Sequence, residues 1–130
     1  MANLPSLIAI VEDDHFVRGS IRRLVKSFGY AAEEFPSAND FLAFPRRAET
    51  ACLIADINMP GMTGVELYRR LVKAGHPIPT ILITAYPDDA IRARALKDGV
   101  LCYLHKPCDD DELLRCVRRA LDRVGPKEGS

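Results

Sequence analysis

The chain has 130 residues, enough for one domain with a single hydrophobic core and too few for two. Eighteen basic side chains balance eighteen acidic ones, so no overall field draws it to nucleic acid or to a membrane surface. No apolar run approaches the ~20 residues of a membrane span, and the start, Met-Ala-Asn-Leu-Pro, lacks the basic-then-apolar pattern of a secretory signal.

The continuous apolar run Leu7-Ile-Ala-Ile-Val11 reads as a first buried strand, and it runs into three acids, Glu12, Asp13 and Asp14. Phe16, Val17, Ile21, Leu24, Val25 and Phe28 then recur at helical spacing up to Gly29, with Asp14 placed as the N-cap. Residues 30–35 form a weaker strand, polar at Glu33 and Glu34, and so belong at a sheet edge. Pro36 and Ser37 open a short helix, with Ser37 and Asp40 resembling a capping box and Phe41, Leu42 and Phe44 pointing inward. Residues 46–50 read as a polar loop.

The stretch from Cys52 to Gly64, Cys-Leu-Ile-Ala-Asp-Ile-Asn-Met-Pro-Gly-Met-Thr-Gly, reads as a buried strand ending at Asp56 and an abrupt turn. Val65, Leu67, Leu71 and Val72 give a third helix, stopped by Gly75. Thr80-Ile-Leu-Ile-Thr84 is a fourth strand, and a fourth helix runs from Pro87-Asp88-Asp89 to Gly99 with Ile91, Ala95 and Leu96 apolar. Residues 100–104 form the fifth strand, ending at His105-Lys106-Pro107. The last helix carries Leu113, Leu114, Val117, Leu121 and Val124, with acids first and arginines later, matching the helix dipole. Residues 125–130 read as a frayed tail after a single domain over residues 1–124.

Strands alternating with helices imply a parallel sheet covered on both faces, and right-handed crossovers favour a doubly wound α/β sheet in the order 2-1-3-4-5. In that order the carboxyl ends of the first and third strands are neighbours, which brings Glu12 and Asp13 to Asp56. Carboxylates ~4 Å apart repel by about 4 kcal/mol at an effective dielectric of ~20, so one of them binds a proton or a cation shares the site. Hard oxygen donors with open positions suit Mg²⁺. Thr84 and Lys106 close the strand ends at the same edge.

The four cysteines, Cys52, Cys102, Cys108 and Cys116, lack the paired spacing of a zinc site and read as small buried hydrophobes in a reducing compartment. His15, His76 and His105 have no metal-ligand spacing and are expected at the surface.

Taken together, Val11-Glu-Asp-Asp14, Asp56-Ile-Asn-Met-Pro-Gly-Met-Thr-Gly64, Ile83-Thr-Ala85 and Lys106-Pro107 resemble the receiver domain of bacterial two-component response regulators. The stretch from Ser37 to Phe44, with Gly64-Val-Glu-Leu67, is most similar to the FixJ-type subfamily. The resemblance implies a flavodoxin-like fold and a cytoplasmic signalling domain, not a turnover enzyme. By it, Asp56 accepts a phosphoryl group from the phosphohistidine of a sensor histidine kinase or a phosphotransfer protein. Asp13 would hold Mg²⁺ directly and Glu12 through water, with Asp56 and the backbone carbonyl of Asn58 completing the ligands. Thr84 and Lys106 would contact phosphoryl oxygens, and Lys106-Pro107 would be cis. On phosphorylation Thr84 would move toward the site and Tyr103 would rotate inward. The readout surface would be the fourth helix, fifth strand and fifth helix, where Arg92, Arg94, Arg115 and Arg119 offer pairs for a homodimer.

Two departures accompany the resemblance. Cys108 stands where the subfamily commonly has an apolar aromatic, and bulky Tyr86 lies two residues after Thr84, where it would shield an acyl phosphate and slow its hydrolysis. A haloacid-dehalogenase phosphatase would need an acid at position 58, where Asn58 cannot protonate a leaving group. A flavodoxin-like nucleotide binder would want a Gly- or Ser/Thr-rich loop after the first strand, where Glu12 and Asp13 repel phosphate. No helix-turn-helix segment suggests direct binding to DNA.

Overall fold

The computed structural model describes residues 5–124, so the expected tail at 125–130 lies outside the described residues. Five strands form one parallel sheet in the order β2-β1-β3-β4-β5, as the alternation of elements implies. They are β1 (Leu7–Val11), β2 (Ala31–Phe35), β3 (Thr50–Asp56), β4 (Thr80–Thr84) and β5 (Cys102–His105). The helices are α1 (His15–Ser27), α2 (Ala38–Leu42), α3 (Gly64–Lys73), α4 (Asp89–Asp98) and α5 (Asp110–Val124).

Every residue of β1 and β4 is buried, as expected of strands covered on both faces, and the hydrophobic residues divide by strand alternation into two cores. Ala9, Leu53 and Leu82 meet α2, α3 and α4 through Phe41, Leu67, Leu71 and Ala95. Ile8, Ile10, Ile54, Ile81 and Ile83 meet α1 and α5 through Ile21, Val25, Leu113 and Val117. β2 lies at one edge with Glu33 and Glu34 exposed, which explains why its apolar pattern is weak.

Several local expectations are met. Asp14 caps α1 by accepting from the Phe16 and Val17 amides, and Ser37 caps α2 by accepting from the Asp40 amide. Lys106-Pro107 is cis.

Others shift. The loop at 46–50 holds a 3₁₀ turn (Arg47–Glu49), and Thr50 already belongs to β3. β5 begins two residues later than its apolar run, because Val100 and Leu101 are buried in the turn out of α4 while Leu101 gives its amide to the Thr80 carbonyl. Ile91, one of the apolar residues of α4, is 41% exposed, and His76 is half-buried whereas His15 and His105 are exposed.

Candidate functional site

Register alone places the acidic residues. Val11 pairs with Ala55, so Glu12, one residue on, comes level with Asp56 at the end of β3. Asp56 pairs with Ile83 and Thr84 with His105, which sets Thr84 and Lys106 one step further along the same edge. Carboxylate oxygens of Glu12, Asp13 and Asp56 all lie within 4.8 Å of one another. Glu12 and Asp56 are buried, whereas Asp13 is exposed at the mouth.

The loop after β3 has a steric basis. Thr63 and Glu66 form a reciprocal capping box that fixes the first turn of α3. Gly64 follows the cap, and a Cβ there would stand 2.5 Å from the Asp56 carbonyl oxygen. Only glycine lets α3 start directly on the residue that carries the central carboxylate. Gly61 holds φ at +78°, a conformation side-chain-bearing residues rarely adopt, and so turns the chain between them.

Lys106 is the cation of the site. Its ammonium stands 2.7 Å from Glu12 Oε1 and 3.3 Å from Asp56 Oδ1. Burial pushes the Asp56 carboxyl above its ordinary range and Asp13 adds to this, against the opposing pull of Lys106 and the Asn58 amide. Glu12 is raised for the same leading reason, with Lys106 and the Asp14 amide opposing. Burial alone would lower Lys106, yet contact with Glu12 and the charges of both carboxylates carry it upward overall. One ammonium facing three carboxylates leaves the crevice short of positive charge.

The donor set fits a hard divalent cation. Three carboxylates converge, and Glu12 Oε1 is a buried oxygen with no hydrogen-bond partner beyond its ion pair with Lys106. Among the described residues no other group of three metal-ligating side chains gathers in this way.

Two contributors escaped sequence reasoning. The Asn58 side chain, to which the sequence assigns no partner, accepts the Thr84 hydroxyl at 2.7 Å. Thr84 is therefore turned toward Asn58 and also receives the Tyr86 amide at 3.0 Å. Arg18 donates to the Glu12 carbonyl at 2.8 Å and pairs with Glu34 at 3.1 Å, tying the acidic turn to β2. The only signal for Arg18 was a basic residue one turn into a helix that follows three acids.

The expected switch residues are spread across the neighbouring surface. Tyr103 is half-buried, and its hydroxyl accepts the Asp88 amide at 3.0 Å. Tyr86, expected to shield the site, has its side chain 74% exposed. Arg92, Arg94, Arg115 and Arg119 are all exposed, though Arg94 already pairs with Asp98 at 3.4 Å within α4.

Beside the carboxylates, a hollow of about 830 Å³ runs between α1 and α5, lined by Phe16, Ile21, Leu24, Pro107 and Leu113 and reaching Lys106. Phe16 is 76% exposed at its rim.

Residues 8–118 match the family described as the response regulator receiver domain. The chain is 36% identical over 130 residues to the response regulator protein TodT of Pseudomonas putida, covering all of this chain and 57% of TodT. It is 30% identical over 119 residues to the transcriptional regulatory protein FixJ of Bradyrhizobium diazoefficiens, covering 92% of this chain and 58% of that protein. It thus spans little more than half the length of these relatives. Among solved structures, FixJ-N superposes with a TM-score of 0.81 at 33% identity, covering 94% of this chain and 96% of that one. The response regulator StyR gives 0.83 at 37% identity, covering 91% of this chain and 60% of that one.

Proposed function

The chain belongs to the response regulator receiver family, and from that premise we propose that Asp56 is its phosphoacceptor, loaded from the phosphohistidine of a histidine kinase or a phosphotransfer protein. The observation that carries this reading is the meeting of the Glu12, Asp13 and Asp56 carboxylates under one lysine.

An Asp56 carboxylate oxygen attacks phosphorus as the P–N bond of the donor breaks, and the imidazole leaves with the bonding pair. Glu12, Asp13, Asp56 and the Asn58 carbonyl would hold Mg²⁺, which when bound supplies Lewis-acid neutralisation of the phosphoryl oxygens. Lys106, 3.3 Å from Asp56 Oδ1, is placed to shift its ammonium onto one of those oxygens. The chemistry is positioning and charge balance, with Asn58 rather than an acid two residues after Asp56.

The apolar hollow between α1 and α5 opens onto the same crevice and suits the helical surface of a phosphodonor. No helix among the described residues is long and apolar enough to cross a membrane.

Phosphorylation adds roughly −1.5 to −2 charges at Asp56. The Thr84 hydroxyl would leave Asn58 for a phosphoryl oxygen, and the backbone behind it would draw the start of α4 with it. Tyr103 would then release Asp88 and turn inward. The changed α4-β5-α5 face is the proposed homodimer surface. The relatives named transcriptional regulators are longer than this chain, and a transcriptional output here would lie in a further domain.

Incubation with Mg²⁺ and a small acyl phosphodonor should place one phosphoryl group on Asp56. Asp56→Asn and metal chelation should each abolish it. Labelling of Asp13 or Asp14, or no labelling of folded protein, would overturn the assignment.

A further inference from the structure

The turn between β1 and α1 carries two of the three acids of the crevice, and Glu12 is held there at every polar atom. Its amide donates to the Phe35 carbonyl at 3.1 Å, Oε2 accepts from the Asp14 amide at 3.0 Å, and Oε1 pairs with Lys106 at 2.7 Å. The last handle is the carbonyl that leads into Asp13. It accepts from Arg18 Nη1 at 2.8 Å, and the Asp13 carbonyl lies 3.5 Å from the same nitrogen. Among the described residues no hydrogen bond or ion pair holds the Asp13 carboxylate itself, so its place follows from this backbone.

Side chains on a helix lean toward its N-terminus, so Arg18, one turn into α1, reaches back over residues 12 and 13. The helix dipole makes that end a poor place for a cation. Glu34 on β2 offsets this. One of its oxygens meets Arg18 Nε at 3.1 Å and the other meets Arg22 Nε, one helix turn on, at 3.4 Å. The Arg18 side chain is only 17% exposed. Its planar fork thus has Nε fixed on Glu34 and Nη1 directed at the Glu12 carbonyl, an arrangement a single ammonium cannot copy.

We propose that Arg18 is a positioning residue for Mg²⁺, oriented by Glu34, which holds the Glu12-Asp13 backbone where both carboxylates can serve the metal. The inference rests on the reading of Glu12, Asp13 and Asp56 as the Mg²⁺ site. Charge and geometry make opposite demands here. As a bare positive charge, Arg18 would repel Mg²⁺, and its removal would tighten binding. As the grip on the acidic turn it favours binding, and its removal weakens it.

The test is calorimetric titration of the metal-free chain with Mg²⁺, beside the rate at which a small acyl phosphodonor labels Asp56 as Mg²⁺ is raised. Arg18→Gln should weaken Mg²⁺ binding about tenfold, the low end of what groups that hold metal ligands contribute. Labelling should slow at limiting Mg²⁺ and recover as Mg²⁺ saturates the variant. Two variants keep the charge and disturb only the geometry, so they read the effect even where Arg18→Gln folds poorly. Arg18→Lys should bind Mg²⁺ nearly as weakly as Arg18→Gln, and Glu34→Asp, one methylene shorter at the sheet edge, should weaken binding severalfold. Tighter or unchanged binding in Arg18→Gln, or full recovery by lysine, would overturn the proposal while leaving the metal site intact. Wild-type affinity in Glu34→Asp would overturn the orienting role of Glu34. A wild-type chain that took up no Mg²⁺ would overturn the metal site itself, and the proposal with it.

Discussion

Helices α3 and α4 are each ten residues long, and each follows a strand whose last residue belongs to the site. They are nevertheless held very differently. α3 enters through a reciprocal capping box, rests Gly64 on the Asp56 carbonyl, and buries Leu67, Tyr68 and Leu71. At its N-terminus α4 has a one-way cap, the Asp88 side chain accepting from the Ile91 amide, and the helix buries Ala95 alone. Full burial of a leucine side chain stabilises by roughly 1.5–3 kcal/mol, and an alanine offers a small part of that. The helix behind the phosphoacceptor is thus anchored by packing. The helix beyond Thr84 hangs on hydrogen bonds that can be exchanged at little cost. A domain that must hold a carboxylate still while moving a neighbouring surface needs this asymmetry.

Leu67→Ala should break the comparison most visibly. It opens a cavity in a fully buried position and should cost about 2–5 kcal/mol in a urea titration, whereas Ile91→Ala on α4 should cost under about 1 kcal/mol. Similar losses for both would mean that α4 is packed as firmly as α3.

Gly64→Ala tests whether α3 fixes the site as well as the core. The added methyl meets backbone, not a flexible side-chain tip, so the start of α3 has to move off β3. A loss of about 1–3 kcal/mol is expected, together with slower labelling of Asp56 by a small phosphodonor. Unchanged labelling at reduced stability would separate the packing role of Gly64 from the site.

The anchored end also carries electrostatic strain. Burial raises Asp56 and Glu12, so the fold binds their protons more tightly than the unfolded chain does. In metal-free buffer, their contribution to stability is full below the ordinary carboxylate range near ~4 and is lost as pH rises through the raised folded values. Asp56→Asn removes one such charge and should stabilise the metal-free protein by about 1–2 kcal/mol at neutral pH, with the gain disappearing in acid. Denaturation of both proteins across pH would check the sign, and a gain that grew toward low pH would contradict it.

The anchored half was largely readable in the chain. Apolar runs, turn formers and strand-end acids were enough for the sheet order and for the approach of Glu12 and Asp13 to Asp56, because in a parallel sheet strand ends fall together whatever the side-chain detail. Thr63 and Glu66 even carry the spacing of a capping box, a signal present but not used. The loose half was less readable. The spacing of Ile91, Ala95 and Leu96 identifies a helix but not how deeply it sits, and Ile91 proved exposed. That Thr84 turns to the Asn58 side chain depends on rotamers at two loop ends, which no periodicity encodes. Arg18 reaches the Glu12 carbonyl across a helix turn for the same reason.

The smallest expected effect sharpens the comparison furthest. Tyr103 reaches from β5 to the Asp88 backbone at the N-terminus of α4, accepting from its amide at 3.0 Å. Tyr103→Phe keeps the ring and removes only that clasp, so it should cost about 0.5–1.5 kcal/mol, the net worth of a typical hydrogen bond. Where the loss appears matters more than its size. If α4 is held by a few exchangeable contacts, amide hydrogen exchange should quicken at residues 88–98 while α3 keeps its protection. Exchange that quickened equally in both helices would show that they open as one unit. In that case Thr84 could not move α4 without also disturbing the helix that rests on Asp56.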